Sequence, residues 1–429
     1  MTTKLYAALL AALLSCATDA PVQADTPRDS ARNEQLRNGF SVERLQRVDT
    51  LLDGYVSDGR VMGIVALVLR DGKPVYEHAV GWRDKEAGSR VAMDTEFRIA
   101  SQTKALTSVA ILQLVEEGKV TISESAGKWI PTFARTNVAA KDAAGVVTFM
   151  PAKRAITIRD LLTHTAGINY GTSPEVSALY EAKGLGPAAG SGWYFADKDE
   201  ALCTTIDRLG TLPFVAQPGE AYVYGYNTDV LGCIVERASG LALDEYFRTR
   251  ITGPLGMKDT HFFLPVEKRD RLAVVYGSGP DGKAVRQDDG AKGQGRYVDG
   301  PRKNFSPGAG LVSTARDYST FLEALRNGGA LGKVRILSPH AVQLMTTNQI
   351  GDLKNPRGLG FGFGFETHDK YGVSGMESVG SWGWGGAYGT YYRVDPVERL
   401  TTVLMVQMMP NSTDLHEKFK ASIYQALLQ

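Results

Sequence analysis

The sequence predicts an α+β fold: an antiparallel sheet built from N- and C-terminal segments, flanked by helices, with a mainly helical region inserted at roughly 137–305. Two observations predict it. Strand-like apolar runs lie near both ends of the chain, while helical periodicity and short loops fill the middle. A helix too apolar to lie on a surface follows directly on the first strands. No internal repeat and no Pro- or Ser-rich linker divides the 429 residues, so one large unit over 25–429 is expected behind an N-terminal leader.

The elements follow in order. Met1 to Ala24 has the signal-peptide pattern of Lys4, an apolar run from Leu5 to Leu14 and a small-residue cleavage site at Val22-Gln-Ala24. The run is too short to span a membrane, so a periplasmic or secreted bacterial protein starting near Asp25 is expected. Leu13-Leu-Ser-Cys16 loosely resembles a lipoprotein acylation site, which makes a lipid anchor at Cys16 the competing outcome. Val42 to Val56 has helical periodicity, and Gly63–Leu69 and Pro74–Gly81 are strands joined by the hairpin signal Arg70-Asp-Gly-Lys73. A short extended piece through Glu96 and Phe97 leads into the apolar helix, which Gly118 closes. From about Asn137 the composition turns to loops and short helices: Ile156–Thr163, a variable loop over Thr172–Lys198, a helix from about Thr228 to Ala238 ended by Gly240, and Leu241–Ile251. The glycine-rich Gly277–Gly300 is expected as a long loop. Leu311–Leu325 and Pro339–Thr347 are helices, Phe361–Phe365, Gly389–Val394 and Leu400–Met408 strands, and Asp414–Leu427 the last helix.

Composition excludes several function classes. With 48 basic and 47 acidic side chains and no long basic run, nothing favours nucleic acid or an anionic membrane as partner. No later segment is long and apolar enough for a transmembrane span. Cys203 and Cys233 can pair if their Cα atoms lie close enough, which spacing does not decide. They and six dispersed histidines have no metal-ligand spacing, so no metal and no other cofactor is expected.

The chemistry begins at Ser101-Gln-Thr-Lys104, where the apolar helix starts. Three residues apart, the serine and lysine share a face, and burying an ammonium costs on the order of several kcal/mol unless it is paired or gives up its proton. Such a lysine can take the serine proton and make a nucleophile, with helix N-terminal N–H groups near the developing oxyanion. Alone, the pattern is better explained by a capping serine and a snorkelling lysine, and Ser125-Ala-Gly-Lys128 repeats the spacing with Pro131 cutting off any helix. A second constellation is Tyr222-Val-Tyr224-Gly-Tyr226, after Pro218-Gly219: a tyrosine between a turn and a helix can be a general acid and base, although most of these tyrosines would be packing. The third is Trp382-Gly-Trp384-Gly-Gly-Ala387, whose glycines permit close backbone approach and whose free N–H could serve an oxyanion; a tight turn between two core tryptophans explains it as well. His164 has the position of a hydrogen-bonded structural residue.

Taken together and in this order, the three elements resemble the serine β-lactamase and penicillin-binding-protein superfamily. Within it the chain is similar to the class C β-lactamase-like, family VIII carboxylesterases. Supporting stretches are Ile156–Gly167, Asp229–Gly240, Pro254–Phe262, Gly308–Tyr318 and Gly383–Thr390. The resemblance implies the β-lactamase/transpeptidase-like fold, Ser101 as acylated nucleophile, Lys104 as its base, Tyr224 as the proton shuttle, and the N–H groups of Ser101 and Ala387 as the oxyanion hole. Trp384, Gly385 and Gly386 would contact substrate. Two departures bear on substrate: Tyr226 stands where the β-lactamases carry asparagine, with Asn227 one residue on, and Trp384-Gly-Gly replaces their Lys-Thr-Gly. Losing that lysine removes a charge-assisted carboxylate contact and suits an uncharged ester. The reaction implied is ester hydrolysis through an acyl-enzyme, with weak β-lactam hydrolysis beside it. The alternatives are a D-amino-acid peptidase, a linear-amide hydrolase or a β-lactamase, and more remotely a non-catalytic cell-wall-binding relative. No Gly-x-Ser-x-Gly is present; Gly372-Val-Ser-Gly fails at Met376.

Overall fold

A computed structural model describes residues 35–186, 195, 197–290, 292–353 and 355–429. The leader expected over residues 1–24, with Cys16, lies outside them. At the centre is an eight-stranded antiparallel sheet. The N-terminal part supplies β1 (Gly63–Arg70), β2 (Lys73–Asp84) and β3 (Ser89–Arg90); the C-terminal part supplies β4 (Gly360–Phe361), β5 (Glu366–Thr367), β6 (Trp382–Gly385), β7 (Tyr391–Asp395) and β8 (Leu400–Met405). Their order is β4-β5-β6-β7-β8-β1-β2-β3. The two parts of the chain therefore join where β8 pairs with β1, Leu400 opposite Arg70 and Met405 opposite Val65.

β1 is buried along its whole length and is apolar on both faces. Val65, Leu67 and Leu69 point into one core, and Ile64, Ala66 and Val68 into the other, as the two-residue period of a strand requires. The hairpin to β2 turns at Asp71 (φ 52°) and Gly72 (φ 71°), the paired left-handed residues that match strand twist. Five helices organise the rest: α1 (Val42–Ser57), α2 (Thr103–Glu116), α3 (Asn227–Ser239), α4 (Ala315–Arg326) and α5 (Leu415–Tyr424). α1 and α5 cover one face through Val48, Leu52, Leu415 and Phe419. α2, α3 and α4 pack in the core on the other. α2 is buried on every side from Thr103 to Leu114, as its composition predicts, and Gly118 stands just beyond it at φ 70°.

Several expectations need correction at the level of short elements. The stretch after Asn137 opens with a hairpin, Asn137–Lys141 with Val147–Pro151, whose second strand is largely exposed and so lacks an apolar alternation. Gly277–Gly300 is not wholly loop, because Tyr276–Ser278 pairs with Ala284–Arg286 around Gly282. Ser177–Ala182 is helical inside the expected loop, while residues 187–194 and 196 lie outside the described set. The helix expected from Leu311 starts at Ala315, where the Thr314 hydroxyl accepts from the Asp317 N–H. Val312–Ser313 is instead a strand paired with Phe97–Arg98. Phe361–Phe365 is the bend between β4 and β5, turning at Gly364 (φ 95°), rather than one strand. Cys203 and Cys233 form a disulfide across 5.1 Å between Cα atoms, tying the helix Leu202–Leu209 to α3.

Candidate active site

The strand Phe97–Arg98 delivers the chain to a short 3-10 turn, Ala100–Gln102, that feeds α2. Ala100 has φ 43°, a left-handed conformation that costs a residue with a Cβ on the order of 1–3 kcal/mol. The surroundings hold it there. Ile99 N–H donates to the Leu311 carbonyl at 3.0 Å, and the Tyr318 hydroxyl donates to the Gln102 carbonyl at 2.9 Å. The result presents Ser101, 8% exposed, at the head of a buried helix.

Lys104 does not snorkel. It is 2% exposed, and its Nζ lies 3.3 Å from Ser101 Oγ, 3.0 Å from the Tyr170 hydroxyl and 2.6 Å from the Gly308 carbonyl. The same Nζ sits 4.8 Å from the Tyr224 ring centroid. The look-alike Ser125 only caps the turn Ala126–Lys128, and Lys128 pairs with Glu124 at the surface. Gly308 is itself fixed: its N–H donates to Asp229 Oδ1 at 3.2 Å. A Cβ at Gly308 would come within 2.6 Å of Asp229 Oδ2. Burial pushes the Asp229 carboxyl up to about 6, against the opposing pull of Lys104 and the Gly308 N–H. An aspartate on α3 thus holds the carbonyl that holds the lysine.

The tyrosines after Pro218-Gly219 separate by role. Tyr226 donates to the Leu185 carbonyl at 2.8 Å and stacks on Phe195. Tyr222 packs on Phe361 and His164. Tyr224 alone reaches the Ser101–Lys104 centre, where its hydroxyl accepts from the Trp384 Nε1–H at 3.2 Å. His164 is a wall: its ring lies 4.6 Å from that of Tyr224, and burial together with Lys104 pushes it well below the usual histidine range, so it stays neutral. Asn227 is tied into the scaffold, donating to the Ile168 and Val223 carbonyls and standing 3.0 Å from His164 Nδ1. It therefore does not take the place of the asparagine that Tyr226 displaces.

β6 closes the fourth side. Trp384, Gly385, Gly386 and Ala387 form a half-buried strip, and Ala387 packs against the cluster that contains Ala100. A Cβ at Gly386 would lie 2.3 Å from the Ile99 carbonyl oxygen, so only glycine lets the strip approach the nucleophile's turn this closely. Among the described residues, neither the Ser101 N–H nor the Ala387 N–H has a hydrogen-bond acceptor. All seven residues expected at the site lie in this region. Tyr170, Gly308 and Asp229 were not expected as site residues. Tyr170 lay inside no motif, the carbonyl of Gly308 has no side-chain signature, and Asp229 was noted only as the first residue of a stretch supporting the resemblance, with no role of its own.

The comparisons with known proteins identify the family and the fold. The family model described as Beta-lactamase matches residues 48–425. Protein Rv1367c of Mycobacterium tuberculosis is 35% identical over 82% of this chain and 87% of its own length. Esterase EstB of Burkholderia gladioli is 32% identical over 84% of this chain and 89% of its own. Among solved structures, EstCE1, described as a hydrolase with promiscuous acyltransferase activity, superposes with TM-score 0.74 at 26% identity, covering 90% of this chain and 98% of that one.

Proposed function

Because the chain belongs to the beta-lactamase family, within the serine β-lactamase and penicillin-binding-protein superfamily, we propose that it cleaves carboxylic esters through an acyl-enzyme on Ser101. The observation that carries this reading is the buried Lys104 Nζ, 3.3 Å from Ser101 Oγ and 4.8 Å from the ring centroid of Tyr224, whose hydroxyl accepts from Trp384. Ser101 Oγ attacks the ester carbonyl while Lys104 Nζ accepts its proton. The N–H groups of Ser101 and Ala387 receive the oxyanion. As the tetrahedral intermediate collapses, the bond to the alcohol oxygen breaks and that oxygen takes the Tyr224 proton. In deacylation the phenolate takes a proton from water, whose oxygen attacks the acyl carbon. Ser101 Oγ then leaves and recovers its proton from Lys104.

Esters are favoured over the amide and β-lactam alternatives by what lines the strip. Trp384 offers an apolar face where the β-lactamases carry a lysine, and Asn227 is committed to the scaffold. EstB, an esterase by name, supports the same substrate class. Weak β-lactam hydrolysis belongs to this reading as a side reaction of the same serine. So does export by the N-terminal leader, which the Cys203–Cys233 disulfide supports, since such bonds persist in oxidising compartments.

The test is Ser101→Ala measured on p-nitrophenyl butyrate, with mass spectrometry of the wild-type protein after fluorophosphonate labelling. Loss of turnover in the variant and a single adduct on the Ser101 peptide are expected. Wild-type turnover in the variant overturns the assignment.

A further inference from the structure

A cation returns to the site from a different part of the chain. The superfamily's strand lysine is absent, and Trp384 stands in its place. Yet the guanidinium carbon of Arg357, on the segment leading into β4, lies 5.0 Å from the Trp384 ring centroid. Arg357 is held through one nitrogen: its Nη2 is 2.6 Å from Glu366 Oε2, on β5 next to β6. Glu366 is fully buried and is shared with Arg393 at 3.2 Å and with the Asn355 amide at 2.8 Å. Its charge is therefore divided between two guanidinium groups, and it stays beneath the surface. The Arg357 side chain, by contrast, is 50% exposed, and Glu366 is its one carboxylate partner among the described residues. A planar cation anchored through one nitrogen and lying over an indole keeps its other N–H groups for a second planar anion, the bidentate geometry that arginine offers and lysine does not.

Its side of the site follows from the chemistry. Trp384 donates to Tyr224, and Tyr224 is the group that must protonate the departing oxygen, so Arg357 stands on the alcohol side. We infer that Arg357 recognises a carboxylate carried by the alcohol half of the ester, several bonds from the oxygen that departs. The inference rests on the proposed esterase reading and revises one part of it. Replacement of the strand lysine by Trp384 does not make the site neutral; it moves the positive charge outward, from the strand to a point above the tryptophan.

The experiment compares 4-carboxyphenyl butyrate with 4-carbamoylphenyl butyrate, esters of matched shape that differ in charge. The wild-type protein is expected to favour the carboxylate in kcat/KM, with the preference shrinking as NaCl is raised. Arg357→Gln should lower the carboxylate-to-amide ratio by on the order of tenfold, Arg357→Lys should keep part of it, and Arg357→Glu should invert it. A ratio equal within about twofold in the wild-type and Arg357→Gln proteins, or one insensitive to salt, overturns the inference. Fluorophosphonate labelling of Ser101 in each variant checks that the nucleophile is intact. If Arg357→Gln fails to label, Arg357→Lys and the wild-type salt titration still decide. If the wild-type protein forms no acyl-enzyme with either ester, it is the esterase reading that fails, and the two failures are distinct.

Discussion

The indole N–H of Trp384 and the hydroxyl of Tyr224 are joined across 3.2 Å. The donor comes from the sheet, the acceptor from the turn before α3, so one hydrogen bond spans the two halves of the site. The bond is also directed: indole nitrogen only donates, so Tyr224 must accept from it and its own proton remains free for transfer. The bond strengthens when the phenol ionises, because its acceptor then carries charge.

Trp384→Phe is accordingly predicted to lower kcat more than it raises KM. A hydrogen bond to a charged group is worth about 1.5–3 kcal/mol, which corresponds to a loss of roughly ten- to a hundredfold. Phenylalanine retains the apolar face against Phe361, whose ring lies 5.3 Å from that of Trp384. Steady-state kinetics on p-nitrophenyl butyrate, combined with single-turnover acylation, measures the effect. Unchanged kcat would show that the donor does not act on Tyr224 in the transition state.

A second prediction concerns Gly386. Its missing Cβ would come within 2.3 Å of both the Ile99 carbonyl oxygen and Thr390 Oγ1, so Gly386→Ala must push the strip and the Ala100 turn apart. Overpacking of this kind costs about 1–3 kcal/mol of stability. Displacing an oxyanion donor costs about 10²–10³ in kcat. The variant should lose at least a hundredfold in turnover while its melting temperature falls by only a few degrees. A variant that melts lower but turns over normally would remove the Ala387 N–H from the oxyanion role.

These residues also show which parts of the molecule were legible in the sequence. Ser101 and Lys104 declared themselves only in company, because their three-residue spacing recurs at Ser125 and Lys128 and became specific when Tyr224 and Trp384-Gly-Gly followed in the superfamily's order. Trp384-Gly-Gly did so likewise, since a tight turn between two core tryptophans explains its glycine pair as well. The long strands β1 and β2 were readable from apolar runs on either side of a two-residue turn. What escaped acts through the backbone or has no period. Gly308 contributes a carbonyl, which any residue possesses. β4 and β5 are two residues each, too short for alternation to register. Arg357 is a surface arginine in sequence and acquires meaning only when the sheet order sets β5 beside β6. His164 was read as a hydrogen-bonded structural residue, and its place against Tyr224 depends on the folding together of distant turns.

The third prediction concerns a buried carboxyl upstream of the nucleophile. Glu96, just before the strand Phe97–Arg98, is fully buried, and neither of its carboxylate oxygens accepts a hydrogen bond among the described residues. Arg271 Nη2 approaches only to 3.9 Å. Asp259 and His261 bring their ligating atoms within 4.8 Å of the Glu96 carboxyl and of one another, but Lys268 Nζ already sits 2.8 Å from Asp259 and 3.0 Å from His261. Burial, reinforced by Asp259, pushes Glu96 up to about 8, while burial pushes His261 down to about 4, which keeps it neutral above that pH. The folded state therefore binds a proton that the unfolded chain releases near the ordinary carboxylate value. The stability linked to Glu96 is fully present below about pH 4 and is lost as pH rises through about 8. The loss is on the order of a few kcal/mol. Glu96→Gln, which cannot ionise, should melt higher relative to the wild-type protein as pH is raised from 5 to 8, with the difference levelling off beyond that. Calorimetry of the two proteins across pH 5 to 9 measures it. A difference in melting temperature that stays constant over this range would mean that Glu96 is ionised, and paired, in the folded protein throughout.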